Sequence, residues 1–271
     1  GPMVGLAIAF KDFNPADGIL RSPWAGLSNF TFLLELTDIV NVLKNTVFIA
    51  LMKIVAGLAA PIAMALLLNE VGNRFVKRGV QTIVYLPHFL SWIILGGIMV
   101  DILSPSEGIV NRLLGLFGVK PVFFLGDERW FPYVAVISDV WKEFGFATIV
   151  YLAALTGINP ALYEAAVVDG ASRWRQTWHI TLPGMAPIIV LLATLSMGNI
   201  LNAGFEQIFV LYSPLVYETG DIIDTFTYRL GLIDYQYGPA AAVGLFKSVV
   251  SFVFISISYV LAYRLANYRI F

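Results

Sequence analysis

Four long apolar stretches, at about 42–68, 82–103, 185–210 and 239–263, constrain what this chain can fold into. One α-helix crosses a hydrocarbon core with about 20 apolar residues, and each stretch reaches that length. A fifth, at about 131–156, is interrupted by Asp139, Lys142 and Glu143 but is also long enough. Composition agrees: of 271 residues, 58% are hydrophobic and only 13% charged. Soluble domains carry about 25% charged residues, so most of this exterior faces lipid. The expected fold class is an all-α polytopic membrane protein.

Several function classes fall away at once. A net charge of −1 gives no basic footprint for nucleic acid. The chain has no cysteine, which excludes disulfides, thiolate metal sites and cysteine nucleophiles, and His88 and His179 are too few for a histidine-built metal centre. The phosphate-binding pattern G-x-x-x-x-G-K-[ST] is absent: at Gly244–Ser248, Lys247 lacks the preceding glycine. Neither H-E-x-x-H nor G-x-S-x-G occurs. The chain is therefore not expected to hydrolyse ATP itself, and any ATP energy would arrive through a partner.

The opening run GPMVGLAIAF is apolar but only half a span. It reads either as the end of a truncated first helix, giving about six spans, or as a segment lying in the interface. Asn-Pro, Asp-Gly and Ser-Pro pairs punctuate 11–30. Residues 104–130 hold enough apolar side chains for a short surface helix, and 212–238 form a long polar excursion. Arg74, Lys77, Arg78, Arg173, Arg175, Arg264 and Arg269 occupy short loops on one side. Lys11, Arg21, Arg112, Lys120, Arg129 and Arg229 share longer, acidic loops on the other. The denser basic side is expected in the cytoplasm, with the 70–80 loop, the 157–183 loop and the C-terminus.

The 157–183 loop is the most informative segment. Asn159 suits an N-cap and Pro160 the first helical position, where a missing N–H costs nothing. A short helix should carry Glu164 near its positive end. Gly170 breaks it, Ser172 caps a second short helix, Trp174 and Trp178 share one face, and Pro183 closes the unit. An amphipathic interfacial segment has a similar composition. The spacing is more particular: Glu164-Ala165-Ala166, three residues, Gly170, nine residues, Ile180, one residue, then Leu182-Pro183.

These seven specified positions resemble the EAA signature in the permease subunits of ATP-binding-cassette importers. Other segments extend the likeness along nearly the whole chain: IAFKDFNPADGI, RSPWAGLSNF, YLPHFLSW, DVWKEFGFATIVYLAAL, LNAGFEQIFVLYSPLVY and YGPAAAVGLFKSVVS. They are similar to the oligosaccharide or polysaccharide branch of sugar-import permeases, in the maltose-permease-like superfamily. The resemblance implies an ABC type I importer permease fold, one transmembrane domain over 1–271, and a cytoplasmic coupling loop at 157–183. Glu164, Ala165, Ala166, Gly170, Arg173, Trp174, Ile180, Leu182 and Pro183 would meet the ATPase. The implied partners are a second homologous permease, two cytoplasmic ATPase subunits and an extracytoplasmic solute-binding protein. ATP and Mg would sit on the ATPase, with no cofactor on this chain.

Charges within spans are functional candidates because lipid makes them costly. Lys44 lies near a span end and can snorkel, whereas Lys53 is deeper and can pair with Asp139 or Glu143. Asn199, Asn202 and Glu206, followed by Gln207, read as a polar stripe at helical spacing along 185–210. Sugars are bound by planar hydrogen-bonding groups beside aromatic faces. Trp141, Glu143, Asn199, Asn202, Phe205, Glu206, Gln207 and Lys247 are accordingly the substrate-path candidates, with Phe144, Tyr235 and Tyr237 as further aromatic surfaces. The alternative is an ion- or proton-coupled secondary transporter using Asp139, Glu143 and Glu206 as a relay. A membrane-embedded enzyme would need paired carboxylates or a metal site at one interface, and no persuasive set is present.

Overall fold

The computed structural model describes residues 2–36 and 38–266. Among them the regular structure is helical. After a 3₁₀ segment at Pro2–Phe10 come α1 (Gly18–Arg21), α2 (Ser28–Glu35), α3 (Asp38–Glu70) and α4 (Arg74–Tyr85). Next are α5 (Trp92–Leu103), α6 (Ile109–Leu116), α7 (Phe131–Thr156), α8 (Pro160–Val168) and α9 (Arg173–Gln176). The series ends with α10 (Leu182–Gly198), α11 (Phe205–Leu211), α12 (Tyr217–Gly220), α13 (Ile223–Tyr228) and α14 (Tyr237–Ala266). Three helices are long and apolar enough to cross a membrane: Asp38–Glu70, Arg173–Gly198 and Tyr237–Val260. Counting two bent helix pairs as one span each gives up to 5 among the described residues.

Three sequence expectations change here. The 82–103 run is not one straight span, because the chain bends by 108° between Arg74–Phe89 and Trp92–Leu103. Pro87 lacks an N–H and crowds the carbonyl four residues back, so α4 gives way to a 3₁₀ turn at Leu86–Phe89 and an extended Leu90. The 185–210 run is not one helix either. It ends at Gly198, passes through a left-handed Gly204 at φ 93° and resumes at Phe205. A left-handed residue cannot continue a right-handed helix, so Asn199, Asn202 and Glu206 form no common helical stripe. Pro183, finally, closes nothing. α9, a π-turn at Thr177–Thr181 and α10 run on as one helix, the widened turn lying where a proline would otherwise clash.

The chain divides into two compact units. The first comprises the described residues within 1–51, 92–136 and 199–254. Its core includes Ile49, Ala50, Phe131, Ala135, Ile208, Val216 and Ile222. The excursion after α11 reads as polar, yet Val216, Ile222, Ile223 and Phe226 bury their side chains in this unit. Asn45 Nδ2 donates to the carbonyls of Glu218 at 2.9 Å and Asp221 at 3.2 Å, and the Ile223 N–H donates to Thr46 Oγ1 at 2.9 Å. Asp221 is sealed in by Arg229 Nη2 at 2.6 Å and by the Thr225 hydroxyl, which donates to it at 2.7 Å. The Pro2–Phe10 segment belongs here as well: Asn29 Nδ2 donates to the Ala9 carbonyl at 2.9 Å.

The second unit comprises the described residues within 52–91, 137–198 and from 255 on. Ala65, Tyr151, Leu155 and Met185 form its buried centre, with Ile62, Leu66 and Ile188 packed around them. α7 approaches α4 so closely that a Cβ on Gly145 would collide with the Val84 carbonyl. Arg269 lies outside the described residues.

Candidate functional site

The loop of the second unit is built almost entirely by local chemistry. The Asn159 side chain accepts the Ala161 N–H at 3.0 Å, and Pro160 occupies the first turn of α8. Gly170 stands at φ +72°, a left-handed conformation that L side chains rarely adopt, and reverses the chain. The Ser172 hydroxyl accepts the Arg175 N–H at 3.4 Å and starts α9. Gln176, buried, donates to the Ala171 carbonyl at 2.9 Å, and the Tyr163 and Thr181 hydroxyls meet at 3.0 Å, tying α8 to the following helix. Beneath the loop lies a cavity of about 300 Å³ whose lining includes Asn69, Thr156, Tyr163 and Arg173.

Several large apolar side chains on this scaffold are held outward among its charges. Val168 is 87% exposed, Trp174 71% and Trp178 54%, the two indoles touching edge to face at 5.8 Å. Glu164, Ala165, Gly170, Arg173 and Pro183 are exposed, whereas Ala166, Ile180 and Leu182 are half-buried. Glu164 is the fifth residue of α8, past its first turn, so its charge faces outward without strong support from the helix dipole.

A second constellation lies in the first unit. An open cleft of about 510 Å³ is lined by Asn202, Phe205, Asp224, Thr227, Tyr228 and Lys247. Lys247 Nζ and Asp224 Oδ1 are 2.5 Å apart. Phe205 and Tyr228 lean together at 5.7 Å, with Phe209 behind them at 5.3 Å from Phe205 and 4.9 Å from Tyr228. Three of the residues expected along a substrate path therefore converge: Asn202, Phe205 and Lys247. Asp224, Thr227 and Tyr228 were missed. Their spacing along one short helix, three and four residues apart, was a signal. That signal is hidden because 212–238 reads as a long polar excursion.

The remaining path candidates separate. Gln207 is fully buried and donates to the Ala135 carbonyl at 2.7 Å, so it ties the core of the first unit rather than lining a cleft. Asn199 and Glu206 are exposed, outside the cleft lining. Trp141 is half-buried on α7 in the second unit. Beside it, Asp139 meets Lys53 Nζ at 3.2 Å. Glu143 meets His88 Nδ1 at 2.7 Å and Lys142 Nζ at 3.2 Å, while Lys142 also donates to the His88 carbonyl at 2.7 Å. The His88 ring stacks on Phe146 at 4.1 Å. The His88 contacts pin the bend after α4 to α7, and the Lys53–Asp139 pair ties α3 to α7. Among the described residues, no group of His, Asp and Glu is arranged to hold a metal ion.

Long apolar helices, charges paired within them and an outward loop on a capped scaffold define a multi-pass membrane protein. Comparison with known proteins makes the class specific. The family described as binding-protein-dependent transport system inner membrane component matches residues 57–267, and the chain belongs to that family. It is 41% identical to the polygalacturonan/rhamnogalacturonan transport system permease protein YteP of Bacillus subtilis, over 98% of this chain and 82% of that one. It is 40% identical to the protein LplB of the same organism, over 94% of this chain and 80% of that one. Among solved structures, a permease chain of a bacterial ABC transporter involved in import of the acidic polysaccharide alginate superposes with a TM-score of 0.89. Identity there is 43%, covering 97% of this chain and 89% of the other. A bacterial alginate ABC transporter, crystallised in complex with an alginate pentasaccharide-bound periplasmic protein, gives a TM-score of 0.88 at 42% identity, covering 97% of this chain and 88% of the other. The fold is thus that of an ABC type I importer permease. The chain is an inner-membrane permease subunit and not an enzyme, and the secondary-transporter alternative is set aside by its family.

Proposed function

We propose that this permease forms half of the translocation path of an ATP-driven importer of oligosaccharides, and that carboxylated, uronic-acid-type oligosaccharides are its substrate class. A second, homologous permease supplies the other half. Two ATPase subunits carry ATP and Mg and receive the Glu164–Pro183 loops of the pair in the cytoplasm, while a solute-binding protein delivers cargo on the opposite face. No cofactor resides on this chain. The observation that carries the coupling role is the exposed apolar tip of the 157–183 loop on its capped scaffold. Val168 and Trp174 left in water are costly, and a protein cleft is the occupant that removes the cost. The substrate class is supported by the relatives named for transport of polygalacturonan and alginate. Closing of the ATPases would rock the helices and open the path alternately to each side.

The test is uptake into vesicles holding the whole transporter. Uptake should require internal ATP and the binding protein, and Glu164→Lys and Gly170→Pro should each abolish it while leaving this subunit in the membrane. Proline cannot adopt φ +72°. Sugar uptake and substrate-stimulated ATP hydrolysis surviving both changes would sink the coupling role. Uptake driven by an ion gradient without ATP would sink the ATP-driven reading.

A further inference from the structure

Asp221–Arg229 and Asp224–Lys247 in the first unit are both aspartate–cation pairs, and they are built differently. Asp221 is 2% exposed, held by Arg229 and capped by the Thr225 hydroxyl, a sealed structural tie. Asp224 and Lys247 are 23% and 22% exposed, and both line the open cleft. Their hydrogen-bonding capacity is far from spent. An ammonium has three donors and Asp224 takes one, while a carboxylate offers about four acceptor positions. Beside the pair stand the Asn202 amide, the Thr227 hydroxyl and the faces of Phe205 and Tyr228. A charge pair, an amide and a hydroxyl against tilted aromatic rings is what a sugar ring needs: partners for its hydroxyls and a flat surface for its C–H face. The cleft volume of about 510 Å³ is also within the range of ligand pockets.

We infer that this cleft is a saccharide subsite selective for carboxylated sugars. Lys247 receives the sugar carboxylate, while Asp224 holds the ammonium in place and accepts a ring hydroxyl. The inference rests on the oligosaccharide reading above and assigns a specificity role that the reading leaves open. A lysine suits it because a compact charge on a flexible stem can reorient its donors between Asp224 and an incoming anion. Asp224 also keeps the empty cleft close to neutral. A bare lysine would hold a uronate too long, and a transport path must release what it binds.

The experiment uses the complete transporter in vesicles and two probes. One is a galacturonate trisaccharide, and the other is the same trisaccharide with its carboxyl groups reduced to alcohols. The wild type should prefer the acidic probe. Lys247→Gln should lower its uptake by about tenfold or more, as expected for loss of a charge-assisted hydrogen bond. Uptake of the reduced probe should stay within about twofold, and Lys247→Arg should keep most of the preference. Equal losses for both probes in Lys247→Gln, or an unchanged ratio between them, overturns the subsite. No uptake of either probe by the wild type overturns the oligosaccharide reading itself, and the subsite with it.

Discussion

The 157–183 loop and the charges within the spans invert the usual placement of side chains in opposite ways. In the loop, Val168 and Trp174 are apolar yet largely exposed. Within the spans, Lys53 and Lys142 are nearly buried, and each is tied to a carboxylate. The loop is assembled by contacts between near neighbours in sequence, a cap at Asn159, a reversal at Gly170 and a second cap at Ser172. The internal pairs join residues far apart: Lys53 with Asp139, His88 with Glu143 and Lys247 with Asp224. The first arrangement leaves apolar side chains exposed on a locally capped scaffold. The second spends its polar groups internally, although Lys247 and Asp224 also line an open cleft.

The sharpest way to break the contrast is to give the loop tip a charge. Val168→Asp should reduce transport by more than tenfold with an unchanged amount of protein in the membrane, measured by vesicle uptake and immunoblot. Unchanged uptake would mean that the tip meets no partner surface. The interior should respond with stability. Asp139→Leu takes its carboxylate away from the nearly buried Lys53 and should cost about 3–5 kcal/mol, read as thermal unfolding in detergent. Adding Lys53→Met should recover most of that loss, because a packed apolar pair can replace a buried ion pair. If the double variant is no better than the single one, the pair is not a self-contained tie. Gly145→Ala tests close packing in the same unit. Its Cβ has no room against the Val84 carbonyl, and a loss of about 1–3 kcal/mol is expected in the same assay. The smallest effect belongs to the loop scaffold. Asn159→Ala removes a cap worth about 1 kcal/mol, and faster amide hydrogen exchange in the first turn of α8 should reveal it. Exchange that does not change would show that the cap contributes nothing to the loop.

How much of this was legible in the sequence follows the same division. The caps at Asn159 and Ser172, the turn at Gly170 and the indole pair of Trp174 and Trp178 all rest on interactions within a few residues. The Lys53–Asp139 tie was one of two pairings the residue types allowed. Hydropathy misled where it averages over a break: an apolar window reads the same whether or not Gly204 turns left-handed or Pro87 bends the chain. It misled again over 212–238, where Asp221, Asp224 and Arg229 made the segment look solvated while Ile222 and Phe226 went into a core.

The sequence by itself determined the class: a chain so poor in charge must live in lipid, and the spacing from Glu164 to Pro183 names the family of machine it serves. Only the tertiary structure decided which polar residues meet. Gln207 and Lys247 look equally eligible as letters, yet one is locked to the Ala135 carbonyl and the other opens on a cleft. The physical reason is range. Capping and turn chemistry act over three or four residues and are written contiguously, whereas a cleft is made by three segments whose packing no local pattern records.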